Sequence, residues 1–206
     1  MDYDYLAKII IVGDPCVGKS SISSVVSDDS FSNDYNTTIG VDFFAIKRKF
    51  GNINWKMYLW DTAGQENFRS ITKSYYRDAA IGLLVFDLSR RNTFNNLEQW
   101  KREIKDENPD IHFVLVGNKS DLVKKVESSQ AKEWASKNKM MYLEVSAKNN
   151  KLDINGTDMF ILILDNFNKE KDKDNNIGVR NNNKLNCIIK EQYDNDNRDN
   201  YCCTIQ

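Results

Sequence analysis

Eight residues near the amino end, Gly13-Asp14-Pro15-Cys16-Val17-Gly18-Lys19-Ser20, have the types and spacing that bind a polyphosphate. They fit G-x-x-x-x-G-K-[ST], follow the apolar run Ile9-Ile-Ile-Val12 and lead into Ser21-Ile-Ser-Ser-Val-Val. A buried strand thus enters a loop that opens a helix, the context in which successive backbone N–H groups wrap a diphosphate. The helix N-terminus adds partial positive charge. Lys19 would reach the β- and γ-phosphates, and the Ser20 hydroxyl would hold Mg²⁺. Taken alone, the stretch also fits a plain strand–turn–helix with a chance lysine.

Three downstream segments narrow the chemistry. Trp60-Asp61-Thr-Ala-Gly64-Gln65-Glu66 ends an apolar strand. An Asp there can hold a Mg²⁺-bound water, Gly64 lets the backbone approach a γ-phosphate, and Gln65 is placed to orient an attacking water. Gly117-Asn118-Lys119-Ser120-Asp121 follows Phe113-Val-Leu-Val116. A carboxylate at Asp121 accepts both donors of the guanine edge, N1–H and the 2-amino group, in parallel. Adenine would leave it unpaired, which selects on the order of 10⁴-fold. The Lys119 stem would pack over the purine, and Asn118 would tie the loops together. Ser146-Ala147-Lys148 follows another strand, and the Ala147 N–H could donate to guanine O6. N-K-x-D alone is an ordinary polar turn and S-A-K alone says almost nothing; their order and spacing complete a purine pocket. Five of the nine glycines, Gly13, Gly18, Gly40, Gly64 and Gly117, fall in or beside these loops, where chance would scatter them.

Apolar runs that can position these loops alternate with helical patterns. Strands are expected at 8–12, 43–50, 55–60, 83–88, 113–116 and 141–145, and helices at 19–27, 71–78, 94–106, 128–139 and 157–169. Continuous apolar strands suit a parallel sheet covered on both faces, and the alternation predicts a doubly wound α/β domain. The second and third strands flank Gly51-Asn52 and read as an antiparallel hairpin at one edge. The 206 residues allow one domain with a sizeable core, set at 1–170, plus a tail over 171–206. That tail holds nine Asn, six acidic and six basic residues, too few apolar groups for a core, and is expected to be disordered.

A net charge of −1 gives no reason to expect nucleic-acid binding. No run of 18 apolar residues predicts a membrane span, Met1-Asp-Tyr-Asp-Tyr lacks the features of a signal peptide, and position 2 is not the glycine of a myristoylation signal. Cys16, Cys187, Cys202 and Cys203 match neither a zinc site nor a disulfide framework, so a reducing, cytosolic setting is expected. His112, the only histidine, reads as a strand-edge residue rather than a ligand.

With the four motifs in order, the chain resembles a Ras-superfamily small GTPase from about Leu6 to Asn168. Within that superfamily it is similar to the Rab family, through Ile39-Gly40-Val41-Asp42-Phe43, Tyr58-Leu-Trp60-Asp61-Thr-Ala-Gly64, Asn67-Phe-Arg-Ser-Ile-Thr72, Tyr75-Tyr76-Arg77 and Leu84-Val-Phe-Asp87. The resemblance implies a P-loop G domain: a six-stranded, mostly parallel sheet with one antiparallel edge strand and helices on both faces. It implies GTP and GDP as ligands, with Mg²⁺ held by Ser20, Thr38 and Asp61, and nucleotide contacts from residues 13–21 including Ser21. Phe31 would lie edge-on to guanine, and Tyr35 would cover the phosphates. Ile39, Gly40, Val41, Asp42, Phe43, Trp60 and Tyr75 would face effectors, although an aromatic trio also serves ordinary sheet packing. An exchange factor, a GTPase-activating protein, a GDP-dissociation inhibitor and a prenylation escort are the implied partners. Gln65 would position the water, and slow hydrolysis would make the chain a switch.

Three places depart from the Rab pattern. Pro15 and Cys16 stand where small polar residues or glycine are usual, which puts the response to an activating protein in doubt more than nucleotide binding. Asn67 replaces the usual Arg. Lys151-Leu-Asp-Ile-Asn-Gly156 lengthens the lead into the last helix. The end, Cys202-Cys203-Thr-Ile-Gln206, fits C-a-a-X. The terminal Gln alone suggests farnesyl, whereas the paired cysteines and Rab-like body suggest two geranylgeranyl groups. The tail carries no polybasic patch and one lipid chain binds only marginally, so membrane attachment on the cytoplasmic face would need both cysteines or a partner. As a coil the tail would reach about 30–36 Å. The alternatives are a GTP-binding scaffold with very weak hydrolysis and, least favoured, a P-loop kinase, for which no acceptor site is visible.

Overall fold

The computed structural model describes residues 3–28, 38, 40–62, 64, 69–149, 152–154, 157–176 and 187–189. The first apolar run becomes the central strand β1 (Tyr5–Val12). It lies between β3 (Ile53–Thr62) and β4 (Ile81–Asp87), parallel to both. Beyond β4, β5 (His112–Asn118) and β6 (Met141–Glu144) continue the parallel set. At the other edge, β2 (Val41–Phe50) pairs antiparallel with β3, from Val41 opposite Thr62 to Phe50 opposite Ile53. The strand order β2-β3-β1-β4-β5-β6 gives the expected α/β architecture: five strands run parallel and the antiparallel one sits at an edge.

Helices cover both faces because successive strand residues point opposite ways. Ile9 and Ile11 join Val25 and Val26 of α1 (Lys19–Asp28) and Ile163 and Phe167 of α6 (Met159–Asn176). Ile10 and Val12 join Tyr76 of α2 (Arg69–Tyr76), Trp100 and Ile104 of α4 (Leu97–Glu107), and Ala131 and Ala135 of α5 (Ser128–Lys137). Every residue of β4 is buried, which accounts for its unbroken apolar sequence. The loops that follow the carboxyl ends of β1, β3, β5 and β6 carry the four motifs, so the topology gathers them along one end of the sheet, the usual place for a ligand in such folds.

The structure differs from the sequence reading in four places. The helix expected at 94–106 is two helices, α3 (Arg91–Asn95) and α4, which meet at Asn96. The Asn96 side chain is drawn to the phosphate loop, donating to Asp14 Oδ2 at 2.7 Å. The last helix starts at Met159 rather than at 157, because Thr157–Asp158 (β8) pairs with Asp153–Ile154 (β7). Asp158 then serves as the helix acceptor: Oδ1 takes the Phe160 N–H at 2.7 Å, while Oδ2 takes Arg48 Nε of β2 at 2.9 Å. The same helix continues past position 170 to Asn176. Finally, the apolar Cys187–Ile189 within the tail forms β9, antiparallel to Tyr5, Leu6 and Ala7 of β1. It uses the part of β1 that precedes the pairing with β4, which begins at Ile9. His112 does open a strand, and its ring also ties β5 to α6: Nδ1 lies 3.1 Å from Glu170 and Nε2 3.1 Å from Asn166. No helix among the described residues is long and apolar enough to cross a membrane.

Candidate functional site: the phosphate loop and its surrounding turns

The loop between β1 and α1 is held in shape by contacts that glycine alone permits. Gly13 has φ +145°, and a side chain there would run into the Val85 carbonyl of β4. Lys19 folds back over the loop, donating from Nζ to Gly13 O and Asp14 O, each at 2.9 Å. It is 6% exposed. Burial lowers its pKa to about 8, against the opposing pull of Asp61 and Asp14. Gly64 comes down onto this lysine from the end of β3: a Cβ there would fall 2.5 Å from Lys19 Nζ and 2.7 Å from Pro15 N. Three chain segments therefore converge on one ammonium.

Beside it, Ser20 Oγ lies 2.9 Å from Thr38 Oγ1, and that hydroxyl lies 3.5 Å from Asp61 Oδ2. Asp61 is fully buried, and its Oδ1 has no hydrogen-bond partner. Burial raises its pKa to about 6, although Ser20, Lys19 and Thr38 pull it down. A buried carboxylate with one oxygen orphaned, and the other beside the Thr38 hydroxyl that Ser20 meets, leaves a lone pair open to a cation. The donor set is all oxygen, with no cluster of three or more His, Cys, Asp or Glu among the described residues. It fits a hard cation such as Mg²⁺, which takes few protein ligands and completes its shell with water and phosphate.

The base-side turns are equally connected. Asn118 Nδ2 donates to Val17 O at 2.9 Å, and its Oδ1 accepts the Ala147 N–H at 3.2 Å, so one side chain joins the phosphate loop to the S-A-K turn. Lys119, at φ +62°, donates to Cys16 O at 2.8 Å and pairs with Asp87 Oδ2 at 2.8 Å. Asp121 Oδ1 accepts the Ser146 hydroxyl at 2.5 Å, and Ser146 Oγ accepts the Asn149 N–H at 3.3 Å. Asp121, Asn118, Lys119, Ser146 and Ala147 thus meet at one place, and Lys148 continues the same turn.

On the outer face, Trp60 contacts Phe43 at 5.0 Å and Tyr75 at 4.9 Å between ring centres; Tyr58 extends the group at 5.1 Å from Phe43. Phe43 is 49% exposed, unusual for so large an apolar side chain inside a strand. Gly40, Val41 and Asp42 lead into it at the start of β2. Phe31, Tyr35, Ile39, Gln65, Cys202 and Cys203 lie outside the described residues.

Sequence reading missed the supports behind the loop. Asp14 directs its carboxylate away from the loop, accepting Trp100 Nε1 at 2.8 Å as well as Asn96. Asp87 receives Lys119, Ser89 and Arg90 together. Burial alone would raise its carboxyl, but hydrogen bonds from Lys119 and Ser89 outweigh this and hold it below the usual range. The Leu84-Val-Phe-Asp87 segment signalled Asp87 as a family mark without its role. Cys16 is exposed and holds φ +62°, a conformation that ordinarily favours glycine.

Known proteins resemble this chain in sequence. The sequence pattern of the Ras family matches residues 8–169. The chain is 38% identical to the Ras-related protein Rab-11B of Dictyostelium discoideum over 193 residues, covering 92% of this chain and 88% of that protein. It is 43% identical to the Ras-related protein RABA6a of Arabidopsis thaliana, covering 78% and 69% of the two chains. It is 45% identical to the GTP-binding protein ypt1 of Schizosaccharomyces pombe, covering 71% and 74%. A match across nearly the whole domain, together with a guanine-type turn and a phosphate loop brought to one end of the sheet, places the chain in the Ras family as a Rab small GTPase, an enzyme that hydrolyses GTP.

Proposed function

We propose that this GTPase is a slow, membrane-anchored switch of vesicle traffic whose two nucleotide states differ in the Thr38 and Gly64 segments. The observation that carries the reading is the meeting of Ser20, Thr38 and Asp61 beside Lys19, which puts one residue from each of three separate segments at a single point. Lys19 binds the β- and γ-phosphates. Backbone N–H groups of residues 13–21 wrap the diphosphate. Ser20 and Thr38 would hold Mg²⁺ directly and Asp61 through water. Bound there, the ion neutralises phosphate charge. Gly64 approaches the γ-phosphate closely because it has no side chain, and Gln65 orients the attacking water. Loss of the γ-phosphate removes what Thr38 and Gly64 share, so both loops relax together.

The remaining charge stabilisation comes from a partner. An arginine supplied in trans by a GTPase-activating protein is worth about 10³–10⁵ in rate. An exchange factor, a GDP-dissociation inhibitor and a prenylation escort complete the cycle, and effectors read the Phe43, Trp60 and Tyr75 face. The test is single-turnover GTP hydrolysis with the Gln65→Leu variant. The variant is expected to keep GTP bound while hydrolysing at least about tenfold more slowly, a modest part of the 10²–10⁴ that positioned groups contribute. A second reading, a scaffold that barely hydrolyses, is motivated by Pro15, whose backbone nitrogen lies against Gly64 and has no N–H to offer there. In that case the parent and Gln65→Leu hydrolyse equally slowly.

Cys202 and Cys203 carry the lipid that holds the chain on the cytoplasmic face of a membrane, cycling with the cytosol. A chain with both cysteines changed to serine is expected in the soluble fraction on cell fractionation. Its retention with membranes would refute lipid anchoring.

A further inference from the structure

Three consecutive carbonyls of the phosphate loop are each held by a side chain from outside the loop. Asn118 holds Val17 O, Lys119 holds Cys16 O, and Arg90 Nη2 donates to Pro15 O at 2.9 Å. The first two belong to the base-binding turn. Arg90 does not: it sits in the turn between β4 and α3, 75 residues from Pro15 in sequence. Its Nε donates to Asp87 Oδ2 at 3.0 Å, the same oxygen that pairs with Lys119. Asp87 is 1% exposed at its side chain, and its other oxygen accepts the Ser89 N–H and hydroxyl. One fixed carboxylate therefore aims two cations at adjacent carbonyls of the loop.

In a trans peptide the C=O of one residue and the N–H of the next point in opposite directions. Holding Pro15 O from outside turns the Cys16 N–H inward, toward the phosphate side of the loop. Cys16 needs that help. It is a non-glycine residue at φ +62°, and the proline before it has no N–H by which the loop could be fastened from the other side. A guanidinium suits the task because its planar fork reaches a carboxylate and a carbonyl at once.

We propose that Arg90 is a positioning residue of the phosphate loop, which fixes the Pro15–Cys16 peptide and thereby lengthens the lifetime of bound nucleotide. The proposal rests on guanine-nucleotide binding at this loop. It assigns Arg90 no contact with nucleotide: the residue acts through the loop, and its effect is on release.

The experiment loads the full chain with a fluorescent GDP analogue and follows its release into excess unlabelled GDP at fixed Mg²⁺. Arg90→Ala is expected to release about three- to tenfold faster, less than the full worth of a hydrogen bond to a charged group because the guanidinium is part-exposed. Arg90→Lys is expected to fall between, since an ammonium cannot span both acceptors. Arg91→Ala, which loses only surface contacts to Gln130 and Phe94, is expected to stay within about 1.5-fold of the parent. A merely structural role would lower the melting temperature of the GDP-loaded variants without moving the release rate in the order Ala, Lys, parent. A parent that holds GDP while Arg90→Ala releases it at the same rate overturns the proposal alone. A parent that holds no GDP overturns the nucleotide reading and the proposal with it.

Discussion

Changing Asp121 to Asn is expected to cost GTP affinity on the order of 10⁴-fold and to turn the site toward xanthine nucleotides. The guanine edge offers two parallel donors, and only a carboxylate accepts both. Asn keeps one acceptor but presents an NH₂ group where the second is needed. The loss is large because the carboxylate is aimed before the base arrives: Ser146 Oγ holds Oδ1 at 2.5 Å, and the Asn149 N–H holds Ser146 in turn. Asn at position 121 leaves the rest of the turn intact, since Asn118 still bridges Val17 and Ala147. Xanthine carries a carbonyl in place of the 2-amino group and so matches the new amide. Competition binding of GDP and xanthosine diphosphate to both proteins measures the exchange. Unchanged GDP affinity in the variant would remove Asp121 from base recognition.

The second large effect is expected at Lys19. Its ammonium is held at the mouth of the loop by Gly13 O and Asp14 O, ready for phosphate oxygens. Charge-assisted hydrogen bonds are each worth about 1.5–3 kcal/mol, and about 1.4 kcal/mol is tenfold in affinity. Two such bonds make Lys19→Ala roughly 10²–10⁴-fold weaker for GTP. The lysine also gives wild-type binding a pH dependence. Burial lowers its pKa to about 8, so in the nucleotide-free protein the charge that phosphate needs is lost as pH rises through about 8. Affinity is therefore full below that value and falls above it, and the Lys19→Ala variant lacks this step. Fold stability runs the other way. Between about 8 and the ordinary 10.5, the unfolded chain binds the proton that the fold has released, so the nucleotide-free protein gains stability as pH rises. Calorimetric titration with GTP from pH 7 to 9 reads the first effect and thermal unfolding the second. An affinity flat across that range in the parent would contradict the assigned role of the lysine.

What the sequence disclosed follows from how each feature is encoded. The central strands β1, β4 and β5 were legible because burial on two faces writes a continuous apolar run, with β4, buried at every residue, the extreme case, whereas β2 and β3 were legible from the Gly51-Asn52 turn they flank. The phosphate loop and the N-K-x-D turn were legible because residues a few positions apart do one job. Arg90 and Trp100 left no such mark. Each meets the phosphate loop across 75 or more positions of chain, and no local spacing announces a pair like Arg90 with Pro15 or Trp100 with Asp14. The same limit hid the second task of Asp14, which serves α4 with its side chain while its carbonyl serves Lys19.

Two departures carried partial signals. Asn155-Gly156 between Ile154 and Thr157 is the pair that favours a two-residue hairpin, and β7 and β8 pair across it. The helix pattern of α6 begins only after that hairpin, because Asp158 is needed as the acceptor for its first turn. The strand β9 rests on Cys187-Ile-Ile189, a short apolar run within an Asn-rich tail, and that run gains meaning only beside the stretch of β1 whose second edge β4 does not reach. Propensity could not have chosen this partner, since pairing across 180 or more positions is decided by the fold already formed.

The most direct test of the account is to load the purified, nucleotide-free chain with GTP or ATP in the presence of Mg²⁺ and follow both retention and phosphate release in a single turnover. The chain is expected to retain GTP and to release phosphate slowly, at about 10⁻⁴–10⁻³ s⁻¹ as for P-loop GTPases without an arginine in trans, keeping GDP afterwards and leaving ATP unbound. Retention of ATP as firmly as GTP, or failure to retain either, would contradict it.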